Sequence, residues 1–163
     1  MIRIFSLFYW LFAFVTLPLL FLVALVIFLL TIPFDRRRMV FHLFSCFWGS
    51  FYVYLNPLWR LQIIGRERLP WRGPAVIVAN HASLADILVL YRLYRPFKWV
   101  AKASLFKIPV VGWNMWLNGY VALKRGQRDS IRRMMERCQE LLAQGCPLLL
   151  FPEGTRTMTG ELQ

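Results

Sequence analysis

Apolar residues dominate the first third of the chain and fall into two runs. Residues 4–32 contain no charged side chain, and this run is longer than the roughly 20 residues that a helix needs to cross a bilayer. It also exceeds the about 7–15-residue apolar core of a signal peptide, which favours a retained anchor. Residues 39–55 form a second apolar run, richer in aromatic and hydroxyl side chains, as is typical of the membrane interface. We predict membrane-anchoring helices over 4–32 and 39–55.

From residue 59 the apolar runs become short and alternate with helical stretches. Strands are predicted at 61–64, 75–79, 98–101, 120–124 and 148–151, where β-branched and apolar residues cluster. Helices are predicted at 82–93, at 113–117, and from residue 129 or 130 to Gly145. This alternation predicts an α/β domain over 58–163, a sheet flanked by helices, after the two-helix membrane motif of residues 1–57.

The charge balance narrows the choice of partner. The net charge is +12, which suits either nucleic acid or an anionic lipid surface. The apolar runs favour the lipid surface, and the absence of any nucleic-acid motif argues against DNA or RNA. Arg36, Arg37 and Arg38 are predicted to stay cytoplasmic together with the basic domain. The second helix is then re-entrant or interfacial, and the first either spans the membrane or forms a hairpin with the second.

A histidine and an aspartate follow the predicted strand 75–79. His81 lies at the junction between this strand and the next helix, and Asp86 lies five residues later. A carboxylate on Nδ1 would fix the tautomer and stabilise the imidazolium, which leaves Nε2 free to take a proton from a hydroxyl. On its own the pattern also suits an ordinary histidine at a helix start. It predicts catalysis only together with other motifs.

Two further segments end predicted strands. Residues 151–156 read Phe-Pro-Glu-Gly-Thr-Arg, in which Arg156 can grip a phosphate with two parallel hydrogen bonds and Thr155 and backbone N–H groups can meet its oxygens. Arg125 follows the strand 120–124, where it can also bind phosphate. Ligand sites in α/β sheets gather at the carboxyl ends of strands, so these segments predict one site with His81. Each alone also suits a solvated surface turn.

Together these segments resemble the 1-acylglycerol-3-phosphate acyltransferase family, a branch of the glycerolipid acyltransferases, from about residue 57 to 163. Asn80-His81-x4-Asp86 matches the first block of the family and residues 151–156 match the third in full. The middle block is looser but keeps Arg125. Further matching positions are Lys102, Leu105, Pro109 and Gly112. Because the family continues past this point with another strand and a fourth block, the domain is expected to be incomplete at its C-terminus.

The resemblance implies that a fatty acyl group passes from acyl-CoA or acyl carrier protein to the sn-2 hydroxyl of lysophosphatidic acid, giving phosphatidic acid. His81 would be the general base and Asp86 would orient it. The glycerol-phosphate site would consist of Arg125, Glu153, Gly154, Thr155 and Arg156. No metal, cofactor or acyl-enzyme would be needed, and the three cysteines lack the spacing of a zinc site or disulfide framework. The expected location is a bacterial inner membrane, with the catalytic domain on its cytoplasmic side.

Other functions stay open at this stage. The acceptor could be another lysolipid or glycerol 3-phosphate, since the motifs do not separate these. A membrane-anchored lipid-binding protein without catalysis is the alternative from another class, and it predicts that loss of His81 leaves function intact. A nucleic-acid binder rests on charge alone and predicts salt-sensitive binding to DNA or RNA.

Overall fold

The computed structural model describes residues 2–57 and 59–152, with side chains from residue 6 onward. Two helices come first and an alternation of strands and helices follows. The helices are α1 (Ile2–Thr31), α2 (Met39–Tyr54), α3 (Ala85–Tyr91), α4 (Val111–Asn118) and α5 (Arg128–Ala143). The strands are β1 (Val76–Val78), β2 (Lys98–Lys102), β3 (Val121–Leu123) and β4 (Leu148–Leu150), with 3-10 turns at Arg66–Arg68 and Ala103–Lys107.

The four described strands form one parallel sheet in the order β1-β4-β2-β3. Helices cover both faces of the sheet, and successive residues of β4 point alternately to the two faces. Leu148 packs against α5 together with Cys138 and Leu141. Leu149 points to the opposite face, where it packs with Trp99 of β2, with Phe97 directly before that strand, and with apolar residues of α3. The prediction of an α/β sheet flanked by helices is confirmed.

Residues 61–64 are not a strand, so that prediction was wrong. In the described part of the chain this segment belongs to no helix and pairs with no strand of the sheet, and Ile64 is 84% exposed. A short apolar run becomes a strand only where a sheet offers a free edge beside it. The two edges, β1 and β3, are not paired with this segment.

Helix α1 packs against α2 and touches α4 through the rings of Phe21 and Trp113, and it exposes most of its remaining surface. The Tyr9 hydroxyl donates to the Tyr52 carbonyl at 2.8 Å, and the hydroxyls of Thr16 and Tyr52 are 3.0 Å apart. Residues 6–31 are long and apolar enough to cross a membrane by length and composition, and only 6% of their most apolar window is buried. The anchoring role of α1 stays a prediction.

Helix α2 is buried in the rest of the molecule. It packs closely on α3, and its polar side chains meet partners in the globular part. The amide nitrogens of Asn114 and Asn118 donate to the Ser45 hydroxyl at 3.2 and 3.0 Å. Apolar neighbours and these buried hydrogen bonds hold α2 against the sheet layer. The division of the chain at residue 57 and the membrane role of α2 stay predictions.

His42 of α2 is almost completely buried in this contact, at 1% exposure. Its Nε2 lies 3.1 Å from the Arg95 carbonyl, which can only accept, so Nε2 carries the proton. Nδ1 therefore accepts from the Tyr120 hydroxyl at 2.7 Å, and the Tyr91 hydroxyl lies 3.3 Å beyond it. Burial lowers the pKa of His42 to about 3; Lys98 adds to the lowering and the Arg95 carbonyl opposes it. His42 is neutral at physiological pH.

This environment predicts an acid-sensitive fold. Below about pH 6.5 the unfolded chain protonates His42 whereas the folded protein does not, until the pH nears 3. The free energy of unfolding should therefore fall by up to about 1.4 kcal/mol per pH unit. Denaturant unfolding in detergent between pH 7 and 5 measures the slope of the unfolding free energy against pH. This pH range lies above the one in which Asp86 titrates. His42→Gln should flatten it, and an unchanged slope in that variant would contradict the assignment.

Candidate active site

Chemically active side chains collect at the carboxyl edge of the sheet. Because the described strands are parallel, their carboxyl ends lie together. His81 comes three residues after β1 and Phe151 directly follows β4. Lys102 is the last residue of β2, and Arg125 lies two residues after β3. One edge therefore carries the residues that the sequence singled out on four separate segments.

His81 and Asp86 are in direct contact. Nδ1 of His81 lies 3.0 Å from Oδ2 of Asp86. A carboxylate accepts, so Nδ1 carries the proton and Nε2 presents its lone pair. The two side chains are 14% and 28% exposed, which leaves the pair accessible from the edge of the sheet. The predicted pairing of these two residues is therefore present in the structure.

Asp86 also organises the turn that carries His81. Its Oδ2 accepts from the backbone N–H groups of Ala82 and Ser83 at 2.7 and 2.8 Å, and its Oδ1 lies 3.3 Å from the Ser83 hydroxyl. Partial burial acts to raise the pKa of Asp86, but the N–H groups of Ser83 and Ala82 and the side chains of His81 and Ser83 outweigh it, and the pKa lies below its usual value. The carboxylate is ionised at neutral pH.

The turn that carries His81 comes directly before α3. A helix was predicted from residue 82, but α3 starts at Ala85. Residues 82 and 83 give their N–H groups to the Asp86 side chain and form a turn instead. The Ser83 hydroxyl accepts from the Ala85 N–H at 3.1 Å, which stabilises the first helical turn. This turn folds the imidazole back over the carboxylate.

The ring of His81 also stacks on Phe151. The two ring centres are 4.1 Å apart and the planes differ by 13°. Behind Phe151 lies Trp99 of β2, with ring centres 5.5 Å apart. Sequence reasoning did not find either contact. The two-residue spacing of Phe97, directly before β2, and Trp99 within it was a signal that both rings face one side of the sheet.

The remaining predicted site residues divide into two groups. Asn80, Lys102 and Arg125 are exposed at the carboxyl edge. The stack on Phe151 places His81 beside β4, so the strand leading to Arg125 is two strands away, about 10 Å at the usual strand spacing. Four predicted residues lie outside the described part of the chain: Glu153, Gly154, Thr155 and Arg156. Their roles stay predictions.

The chain is similar to known proteins along most of its length. A family model described as "Acyltransferase" matches residues 60–163. The chain is 42% identical over 159 residues to a 1-acyl-sn-glycerol-3-phosphate acyltransferase of Chlamydomonas reinhardtii, which covers 96% of this chain and 47% of that protein. It is 42% identical over 131 residues to the chloroplastic LPAT1 enzyme of the same description from Arabidopsis thaliana, covering 79% and 36%. The chain thus spans less than half the length of these curated relatives.

A solved structure shares the fold. The crystal structure of the 1-acyl-sn-glycerophosphate (LPA) acyltransferase PlsC from Thermotoga maritima superposes with a TM-score of 0.58 at 24% sequence identity. The match covers 91% of this chain and 64% of that chain. At this identity the likeness concerns the fold alone.

Proposed function

Because the chain belongs to the acyltransferase family, we propose that it moves a fatty acyl group from a thioester donor to the sn-2 hydroxyl of lysophosphatidic acid, giving phosphatidic acid. The contact between His81 Nδ1 and the Asp86 carboxylate is the observation that supports this most strongly. It leaves a basic Nε2 at the edge of the sheet where ligands bind. Two relatives described as 1-acyl-sn-glycerol-3-phosphate acyltransferases favour this acceptor.

The chemistry follows from the protonation state of the pair. Nε2 of His81 takes the proton of the acceptor hydroxyl while its oxygen attacks the thioester carbonyl carbon, because a neutral hydroxyl is a poor nucleophile. Asp86 stabilises the resulting imidazolium through Nδ1. The tetrahedral intermediate then expels the sulfur, and the imidazolium returns the proton to this leaving group. An ester and a free thiol result, and the histidine is regenerated without a metal, a cofactor or an acyl-enzyme.

The acceptor phosphate would lie along the same edge, away from the dyad. Arg125 is exposed there two strands from Phe151, and Lys102 at the end of β2 lies between. We assign Arg125 to the phosphate together with the residues of the 151–156 segment: Glu153, Gly154, Thr155 and Arg156. A guanidinium can grip two phosphate oxygens at once, which also orients the glycerol for attack.

Arg125→Ala is expected to raise KM for lysophosphatidic acid and to lower kcat/KM by about 10- to 100-fold, the usual cost of one charged hydrogen-bonding partner. Steady-state kinetics with varied acceptor measure it. Arg133→Ala is the matched control, because Arg133 is equally exposed but lies on the outer side of α5. Equal losses in both variants would show a general effect of surface charge and contradict the phosphate assignment.

The substrates place the protein at a membrane. The acceptor is a lipid and the donor, acyl-CoA or acyl carrier protein, is soluble, so the site must lie where lipid and water meet. The apolar α1 supplies an anchor, and the net charge of +12 suits an anionic lipid surface. We propose that the catalytic part lies on the cytoplasmic side of the membrane. In a bacterium this membrane would be the inner membrane.

Acyl transfer by the protein in mixed micelles tests the function. Lysophosphatidic acid is supplied with a long-chain acyl-CoA or with acylated carrier protein, and thiol release and phosphatidic acid are followed. Phosphatidic acid formed in step with the thiol supports the proposal. Product formed only from another lysolipid or from glycerol 3-phosphate would move the assignment to that acceptor. Lipid binding without turnover, with both donors and all acceptors, would favour the non-catalytic alternative.

A further inference from the structure

A continuous column of aromatic rings connects α2 to His81. We call its five rings the aromatic column: His42, Phe97, Trp99, Phe151 and His81. Successive ring centres are 4.6, 5.2, 5.5 and 4.1 Å apart. The first three separations lie within the roughly 4.5–7 Å range that is usual for aromatic pairs, and the fourth, between Phe151 and His81, is slightly shorter. The column follows the face of the sheet beneath α3 and ends at the proposed general base.

Asp86 is connected to the same column through its own helix. Tyr91 lies on α3, as Asp86 does, and packs edge-on against Trp99 with ring centres 5.9 Å apart. It is also roughly parallel to Phe97, at 6.4 Å. Trp99 therefore contacts one ring that supports His81 and another that belongs to the helix of Asp86. It is the point at which both halves of the catalytic pair are held.

The inner part of the column is tightly enclosed. Phe97 is 1% exposed and Trp99 is 4% exposed. Tyr91 is pressed against α2 at Gly49, where a Cβ atom would come within 2.6 Å of the Tyr91 ring. The Tyr91 hydroxyl adds to the hydrogen-bonded chain through Tyr120 to His42. Large rings in such a close-packed site have little freedom to move, so they hold their neighbours in place.

We propose that Trp99 and Phe151 are positioning residues for the catalytic pair. Phe151 holds the plane of the His81 imidazole, and Trp99 holds Phe151 and α3 in register, so that Nδ1 meets Asp86 and Nε2 faces the acceptor. Proton transfer needs placement within about 0.5 Å and 10–20°. Hydrogen bonding to Asp86 alone leaves the ring free to swing about that bond. The kinetic part of this proposal rests on the function proposed above, while the structural part does not.

The chain has only two histidines, so NMR of the histidine rings reads the geometry directly. In protein labelled at histidine, His42→Gln identifies the signals of His81. The Phe151 ring should shift the His81 ring protons upfield, and the nitrogen shifts should show a proton on Nδ1. Phe151→Leu and Trp99→Leu should remove the upfield shift, and Phe151→Tyr should keep it. If Trp99→Leu does not fold, the comparison of Phe151→Leu with Phe151→Tyr decides whether the column positions His81, because Phe151 is less buried than Trp99.

Phe106→Leu is the matched control. Phe106 is buried in the same core cluster but lies outside the column, against Trp116. It should leave the His81 signals unchanged while loosening the core. Signals that stay at their wild-type positions in Phe151→Leu, or that move as far in Phe106→Leu, would overturn the positioning role.

Kinetics provide the second readout. Phe151→Leu and Trp99→Leu should lower kcat by about tenfold or more, as small misplacements of reacting groups do, with KM for both substrates within about threefold. Phe151→Tyr should restore most of kcat. A loss that appears mainly in KM would contradict positioning of His81. If the wild-type protein transfers no acyl group at all, the function proposal fails, and the NMR comparison still decides whether the column holds His81.

Discussion

Replacing His81 with alanine should lower kcat for acyl transfer by about 10²–10⁴-fold, the usual contribution of a general base. In the proposed reaction Nε2 takes the proton of the acceptor hydroxyl, so the attack of that hydroxyl depends on it. KM for both substrates should change little, because the imidazole acts on the proton rather than on the phosphate or the acyl chain. Initial rates of thiol release with varied donor and acceptor separate the two effects.

The variant should remain folded, which makes the loss of rate interpretable. Asp86 keeps its bonds to the N–H groups of Ala82 and Ser83 when the imidazole is gone. Thermal unfolding in the same detergent should therefore lie close to that of the wild-type protein. Turnover within tenfold of wild type in a folded His81→Ala variant would remove His81 from the mechanism.

Substitutions of Asp86 should separate its charge from its hydrogen bonds. Asp86→Ala removes the partner of His81 and of two backbone N–H groups. We expect kcat to fall by about 10²–10⁴-fold, as for His81→Ala, and stability to fall by about 1–2 kcal/mol, as on loss of a helix cap. Asp86→Asn can keep an oxygen at the Oδ2 position, so stability should be nearly retained. Its kcat should fall between wild type and Asp86→Ala, because the imidazolium loses its counter-charge.

The double variant tests whether the two residues act as a unit. His81→Ala/Asp86→Asn should be no slower than His81→Ala, since a carboxylate that acts only through the imidazole has nothing left to orient. Kinetics and denaturant unfolding of the wild type, His81→Ala, Asp86→Asn and the double variant complete the comparison. Multiplicative losses would instead mean that Asp86 contacts the substrate by a separate route.

The sequence predicted the features that depend on local order. His81 and Asp86 are five residues apart in one turn, so their contact could be inferred from spacing and the strand before them. The helix start was predicted three residues early, because apolar patterning does not reveal that residues 82 and 83 form a turn held by the Asp86 side chain.

Contacts between distant segments could not be read from the chain. The column joins His42 to Phe97 and Trp99 to Phe151 across 50 or more residues. The packing of α2 brings the first two together, and the pairing of β2 with β4 brings the second two together. Residues 61–64 have the composition of a strand but lack a neighbour in the described sheet. The composition of α2 predicted a membrane-anchoring helix, which stays a prediction, but it did not reveal that His42 and Ser45 are buried against the globular part. In each case the partner, and not the segment itself, decides the outcome.

Asp86 serves both the fold and the proposed reaction, and this affects how such proteins can evolve. One oxygen of this carboxylate closes the turn at residues 82 and 83 and also holds the catalytic ring. A descendant that no longer needs the reaction would still need the turn, so selection for folding would preserve the aspartate. His81 supports no such turn and is free to drift once catalysis is lost. When a homologue is suspected of being a pseudoenzyme, the residue aligned with position 81 is therefore more informative than the residue aligned with position 86.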